Sequence, residues 1–160
     1  MAKQAKGILT LIGLIISISA IAYHLHTSSY APNVSVQGLR LGTSKTQFLE
    51  TVERFHLEYT VDGVYRMPTG AFLQVDFSKD DAIERLVGFG GASLGAGSVN
   101  ISTCSGSFKG GESKSAVRKL LGEPEQNVTD DAWTYSIGTN SILLLWADDL
   151  LAKVEVTPRL

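Results

Sequence analysis

Near its start the chain carries a nearly continuous apolar stretch, and periodic patterns come only later. Ile8 to Ile18 is interrupted only by Thr10, Gly13 and Ser17, with Lys3 and Lys6 before it and Ala20-Ile21-Ala22 after it. This charge, apolar core and small-x-small order is that of a secretory signal. Gly7 to Tyr23 counts 17 residues, the short limit for a membrane-spanning helix, which takes about 20. Residues 1–22 are therefore expected to be a signal peptide or a retained membrane anchor. The lysines would stay on the cytoplasmic side. Retention would leave the rest anchored in the inner membrane, facing the periplasm, through residues 7–23. Cleavage would leave it periplasmic or secreted. No cysteine follows the run directly, so a lipid-modified cysteine anchor is excluded.

After a tether at 23–35, broken by Ser28, Ser29, Pro32 and Asn33, two stretches show helical periodicity. Ser44 and Gln47 have capping-box spacing, and Phe48, Leu49, Val52 and Phe55 make one apolar stripe. Ser113 is the second N-cap, followed by Ala116, Val117, Leu120 and Leu121. Gly122 and Pro124 stop that helix. Alternation of period two follows each. Leu73, Val75 and Phe77 alternate with Gln74 and Asp76 before a turn at Lys79-Asp80-Asp81. Trp133, Tyr135 and Ile137 alternate before a turn at Gly138-Thr139-Asn140. Ile142–Trp146 and Lys153–Val156 follow, separated by Asp148-Asp149.

The two stretches align at an offset of 69 residues: Gly42-Thr43-Ser44-Lys45-Thr46 on Gly111-Glu112-Ser113-Lys114-Ser115, Phe48 on Val117, Val52 on Leu121, and Phe77 on Trp146. The expected fold class is α+β: the N-terminal signal or transmembrane helix, then two tandem repeats of a helix and an antiparallel sheet. The expected units are 36–87 and 111–160. A glycine-rich joint, 88–110, separates them and leaves room for a further strand at Val99–Cys104.

The second stretch resembles a known family. Gly111, Ser113, Val117, Leu121, Gly122 and Pro124, then Trp133-x-Tyr135 and a β-hairpin, look like the SmpA/OmlA family, the small lipoproteins of the outer-membrane β-barrel assembly machinery. They also look like the broader β-lactamase-inhibitor-protein-like superfamily, in which such units occur in tandem. The resemblance is best over 111–156 and weaker over 42–87, where Glu53 stands in place of the helix-ending glycine. It implies a non-enzymatic binding or assembly role in the cell envelope.

Charge and composition narrow the chemistry. Residues 1–22 hold two of the 14 basic residues and none of the 16 acidic ones, so the remainder is net −4. An acidic module without a basic stripe is a poor partner for nucleic acid. Nucleophilic catalysis needs a base beside the nucleophile. The three histidines are His24, His26 and His56, two of them in the tether. No catalytic, metal or cofactor-binding residues are assigned, and the chain is read as not an enzyme. His24-x-His26 alone is too small a ligand set for a firm metal site. The glycines at 88, 90, 91 and 95 do not match a phosphate loop, because Ser93 and Ala96 fall where Gly and Lys are required. The Asp80-Asp81 and Asp148-Asp149 pairs read as turns. Cys104, the one cysteine, cannot form an internal disulfide and is expected as a small buried residue.

Strand phase points to a contact surface. If Phe77 and Trp146 face the helices, Ile142 and Leu144 face inward, while Leu143 and Leu145 point outward where the first stretch carries Gln74 and Asp76. These leucines are the candidate protein-binding residues. They pack either against the first unit or against a partner, since outward apolar patches often mark binding sites. The expected function is a membrane-tethered or periplasmic protein-binding module, an accessory or assembly subunit of a bacterial envelope complex whose partner is another envelope or membrane protein. The alternative is a secreted proteinaceous enzyme inhibitor of the β-lactamase-inhibitor type.

Overall fold

The computed structural model describes residues 34–90 and 99–159. Eleven strands and two short helices make up this part. They are β1 (Val34–Val36), α1 (Lys45–Arg54), β2 (Glu58–Val61), β3 (Val64–Arg66), β4 (Phe72–Phe77), β5 (Ile83–Phe89), β6 (Asn100–Thr103), β7 (Gly106–Lys109), α2 (Lys114–Leu121), β8 (Gln126–Thr129), β9 (Ala132–Ile137), β10 (Asn140–Ala147) and β11 (Leu150–Pro158).

The helices start where their caps dictate. The Ser44 hydroxyl accepts from the Gln47 amide at 3.3 Å, and the Gln47 side chain accepts from the Ser44 amide at 3.4 Å, which closes a capping box. Ser113 accepts from the Ala116 amide at 3.3 Å, and α2 ends at Gly122, whose φ of 85° is open to glycine at little cost. The apolar stripe of α1 is only partly used. Phe48 is fully buried and Val52 packs on the core, but Leu49 and Phe55 are about half exposed. A ten-residue helix lying on a broad sheet turns only a narrow strip toward it.

The sheets overturn the expected architecture. The strands after each helix do not form two separate α+β repeats. They merge into one antiparallel sheet of eight strands, ordered β2-β3-β4-β5-β11-β10-β9-β8. Strand outweighs helix throughout. The further strand placed at Val99–Cys104 is present as β6, but its pairing with β1 and β7 in a second sheet was not expected. The merger is made by β5 and β11, where Leu86, Val87, Gly88 and Phe89 pair with Val156, Glu155, Val154 and Lys153. Gly88 and Phe89, within the stretch read as a joint, thus end a central strand. No helix of the described residues is long and apolar enough to cross a membrane. The segment read as a signal peptide or transmembrane helix, 1–22, lies outside the described residues, as does the His24-x-His26 pair, and the spanning helix is not carried further.

One core fills the space between the large sheet and what covers it. Leu73, Val75, Leu86, Trp133, Tyr135, Ile142, Leu144, Trp146, Val154 and Val156 face it from the large sheet. Phe48 and Val117 come from the helices, and Val34, Val36, Ile101 and Phe108 from the small sheet. Phe48 sits edge-on to Tyr65 at 4.9 Å and to Phe77 at 5.5 Å. Trp133 lies 4.9 Å from Trp146, with the Arg118 guanidinium 4.6 Å above its ring. Burial raises the pKa of the Tyr135 phenol, whose hydroxyl donates to the Gly122 carbonyl at 3.3 Å.

Gly88 is where the two sheets meet. A Cβ there would lie 2.5 Å from Val99 Cγ1 and 3.2 Å from Cγ1 of both Val36 and Val154. The glycine is needed for close approach rather than for an unusual backbone angle.

Candidate functional site

Every second residue of the central strands belongs to neither the core nor an edge. The helices and the small sheet pack on one face of the eight-stranded sheet. The opposite face is built from the alternate positions, and the strand register sets them in rows. One row runs Arg66, Phe72, Phe89, Lys153, Leu145, Ala132 across six strands, roughly 24 Å at the usual strand spacing. The next runs Val64, Gln74, Val87, Glu155, Leu143, Thr134.

Leu143 and Leu145 are on this face, half-buried, beside Glu155 and Lys153 of β11 on one side and Thr134 and Ala132 of β9 on the other. β11 separates them from β2–β5 within the sheet, and the helices lie on its opposite face. The structure joins them to apolar residues that the sequence did not single out. Phe72 and Phe89 stack at 5.4 Å with an interplanar angle of 15°. Val87 is 1% exposed, yet belongs to this face and not to the main core. Their signal was the alternation Arg85, Val87, Phe89, hidden by the glycines that follow. The same face carries a charge network. Arg85 donates from Nε to Glu155 at 2.7 Å and from a terminal nitrogen to Asp76 at 2.8 Å. Lys153 Nζ lies 3.3 Å from the other oxygen of Glu155.

These contacts favour the charged forms of Glu155 and Arg85. Hydrogen bonds from Arg85, aided by Lys153, hold the Glu155 carboxyl below its ordinary pKa despite partial burial. The bonds to Glu155 and then Asp76 raise the Arg85 pKa still further above its already high value. The network is anionic at Asp76 and Glu155 and cationic at Arg85 and Lys153, so its charges are matched within the face. A partner covering it would not leave a buried charge unpaired, which is the costly case. The face thus combines aromatic, aliphatic and arginine side chains on one regular platform.

The remaining candidates fall elsewhere. Asp148 and Asp149 have φ of 50° and 67° in the turn between β10 and β11, and Lys114 Nζ lies 3.8 Å from Asp149 and 3.0 Å from Asp131. Cys104, expected to be buried, is exposed. It occupies the turn between β6 and β7, where no second layer covers it. Among the described residues no group of three or more His, Cys, Asp and Glu side chains is arranged to hold a metal ion.

No family model matches the chain, and no curated protein matches it. One fold is shared. The structure is similar to the crystal structure of a DUF4309 family protein, YjgB, from Bacillus subtilis subsp. subtilis str. 168, with a TM-score of 0.52. Sequence identity is 19%, over 84% of this chain and 93% of that one. At that identity the likeness concerns the fold alone.

Proposed function

We propose that the chain is a non-enzymatic protein-binding module, an accessory or assembly subunit of a bacterial envelope complex, and that the open face of the eight-stranded sheet is its contact surface. The observation that carries this reading is the Phe72–Phe89 stack continued by Leu145, with Leu143 in the next row, on a face that no described helix covers. Aromatic and arginine side chains are enriched in protein interfaces, and Phe72, Phe89 and Arg85 supply both here. Placement in the envelope is supported by Lys3, Lys6 and the apolar run after them, and by the resemblance of 111–156 to the assembly lipoproteins.

The test is the double substitution Leu143→Thr and Leu145→Thr, which keeps strand propensity and removes apolar surface. The variant is expected to keep its urea midpoint and to lose the complex recovered by cross-linking in cells. A fall in the midpoint with the complex retained would assign the leucines to packing and refute the reading.

A further inference from the structure

A second surface lies away from the open face, at the C-terminal end of α1. An apolar cleft of about 200 Å³ has Leu39, Met67 and Leu73 in its wall, with Phe55 and Leu57 beside them. Its polar lining is uncharged and includes Thr51, Thr69 and Asn100. The volume is below the roughly 300–1,000 Å³ of small-molecule and cofactor sites, and suits one large side chain. The absence of charge in the lining selects a neutral apolar occupant.

The cleft adjoins an open strand edge. Leu57 immediately precedes β2, which stands at the end of the eight-strand order with all four of its residues exposed. An edge strand turns alternate backbone N–H and C=O groups outward, ready to pair with a further strand. Tyr59 and Val61 on β2 are 63% and 58% exposed, and Phe55 at the cleft is 51% exposed. The opposite edge, β8, carries a single apolar residue, Val128, among Gln126, Asn127 and Thr129.

We propose that β2 and this cleft together form a peptide-docking site, which takes an extended segment of a partner protein as a ninth strand with one large apolar side chain seated between Phe55, Leu57 and Met67. Backbone pairing along β2 supplies affinity and the cleft supplies specificity, as in strand-addition recognition generally. The site is independent of the open sheet face, and either surface can fail without the other.

The experiment selects phage-displayed random nine-residue peptides on the full-length protein, then measures synthetic copies of the enriched peptides by calorimetry and by amide hydrogen exchange. The expected result is convergence on one large apolar residue flanked by β-branched residues, with slowed exchange at residues 58–61. Thr69→Trp, in an exposed turn, should fill the cleft and weaken binding at least tenfold, and Phe55→Ser should do so by removing the apolar wall. Three results would each overturn the proposal. One is no enrichment. Another is binding indifferent to both substitutions or protecting β10 and β11 instead. The last is concentration-dependent protection of β2 without peptide, which would give the edge to a second copy of the chain.

Discussion

Gly88→Ala tests the junction on which the fold depends. The backbone there is an ordinary strand conformation, so alanine meets no torsional penalty. Removing a glycine from the unfolded chain would by itself stabilise by about 0.4–1 kcal/mol. The structure reverses that sign. The new methyl would lie 2.5 Å from Val99 Cγ1, about 1 Å inside the 3.5–4.0 Å optimum for carbon pairs. Val36 and Val154 at 3.2 Å limit its escape. Overpacking of this kind costs about 1–3 kcal/mol. Three valines crowding one methyl place the cost at the upper end. After the entropic gain is deducted, the net destabilisation is about 2 kcal/mol, a fall in Tm of about 8 °C. Urea unfolding followed by tryptophan fluorescence reads it. Val99→Ala on the Gly88→Ala background should restore part of the loss, a non-additivity that only contact between the two side chains produces. A Gly88→Ala protein as stable as the parent, or more so, would refute the packing of the small sheet onto β5.

Phe48→Ala, at a fully buried ring between Tyr65 and Phe77, should cost about 3–5 kcal/mol in the same assay; a loss under about 1 kcal/mol would show that α1 does not anchor on the sheet. Ser44→Ala removes the capping box and should cost about 1 kcal/mol, read as a lower urea midpoint with an unchanged slope. The folded-state pKa of Glu155 is depressed, so its contribution is present above the ordinary carboxylate range near pH 4 and is lost as pH falls through the lower folded value. Glu155→Gln should therefore reduce stability at pH 7 and flatten its fall in acid, and identical acid profiles for the two proteins would contradict the Arg85–Glu155 link across β5 and β11.

The parts of the fold legible in the sequence were those with a local cause. Ser44 with Gln47, and Gly122 at the end of α2, mark helix ends through hydrogen bonds or backbone angles within a few residues. The alternation of Trp133, Tyr135 and Ile137 marks β9 because one face is buried and the other is not. What was not legible depends on distant partners. The β5–β11 pairing joins residues nearly seventy positions apart and leaves no local pattern, so two apparent units were expected where one sheet exists. Gly88 argued for a loop because glycine weakens strands, yet it sits in a strand to admit Val99. The edge strand β8, Gln126-Asn127-Val128-Thr129, has no apolar alternation, and the alternation of Leu57, Tyr59 and Val61 that marks β2 is too short to say which strand it pairs with. The same reasoning applies to the candidate surface. The outward phase of Leu143 and Leu145 could be read from β10 alone, whereas Phe72, Phe89 and Arg85 join them only through the register of four strands.

The open face is tested most directly by placing a photo-crosslinking amino acid at Leu145, and in a separate protein at Glu50 on the exposed side of α1, and illuminating intact cells that produce each. The account predicts a discrete protein adduct from position 145 and none from position 50. Adducts from position 50 with none from position 145 would contradict it.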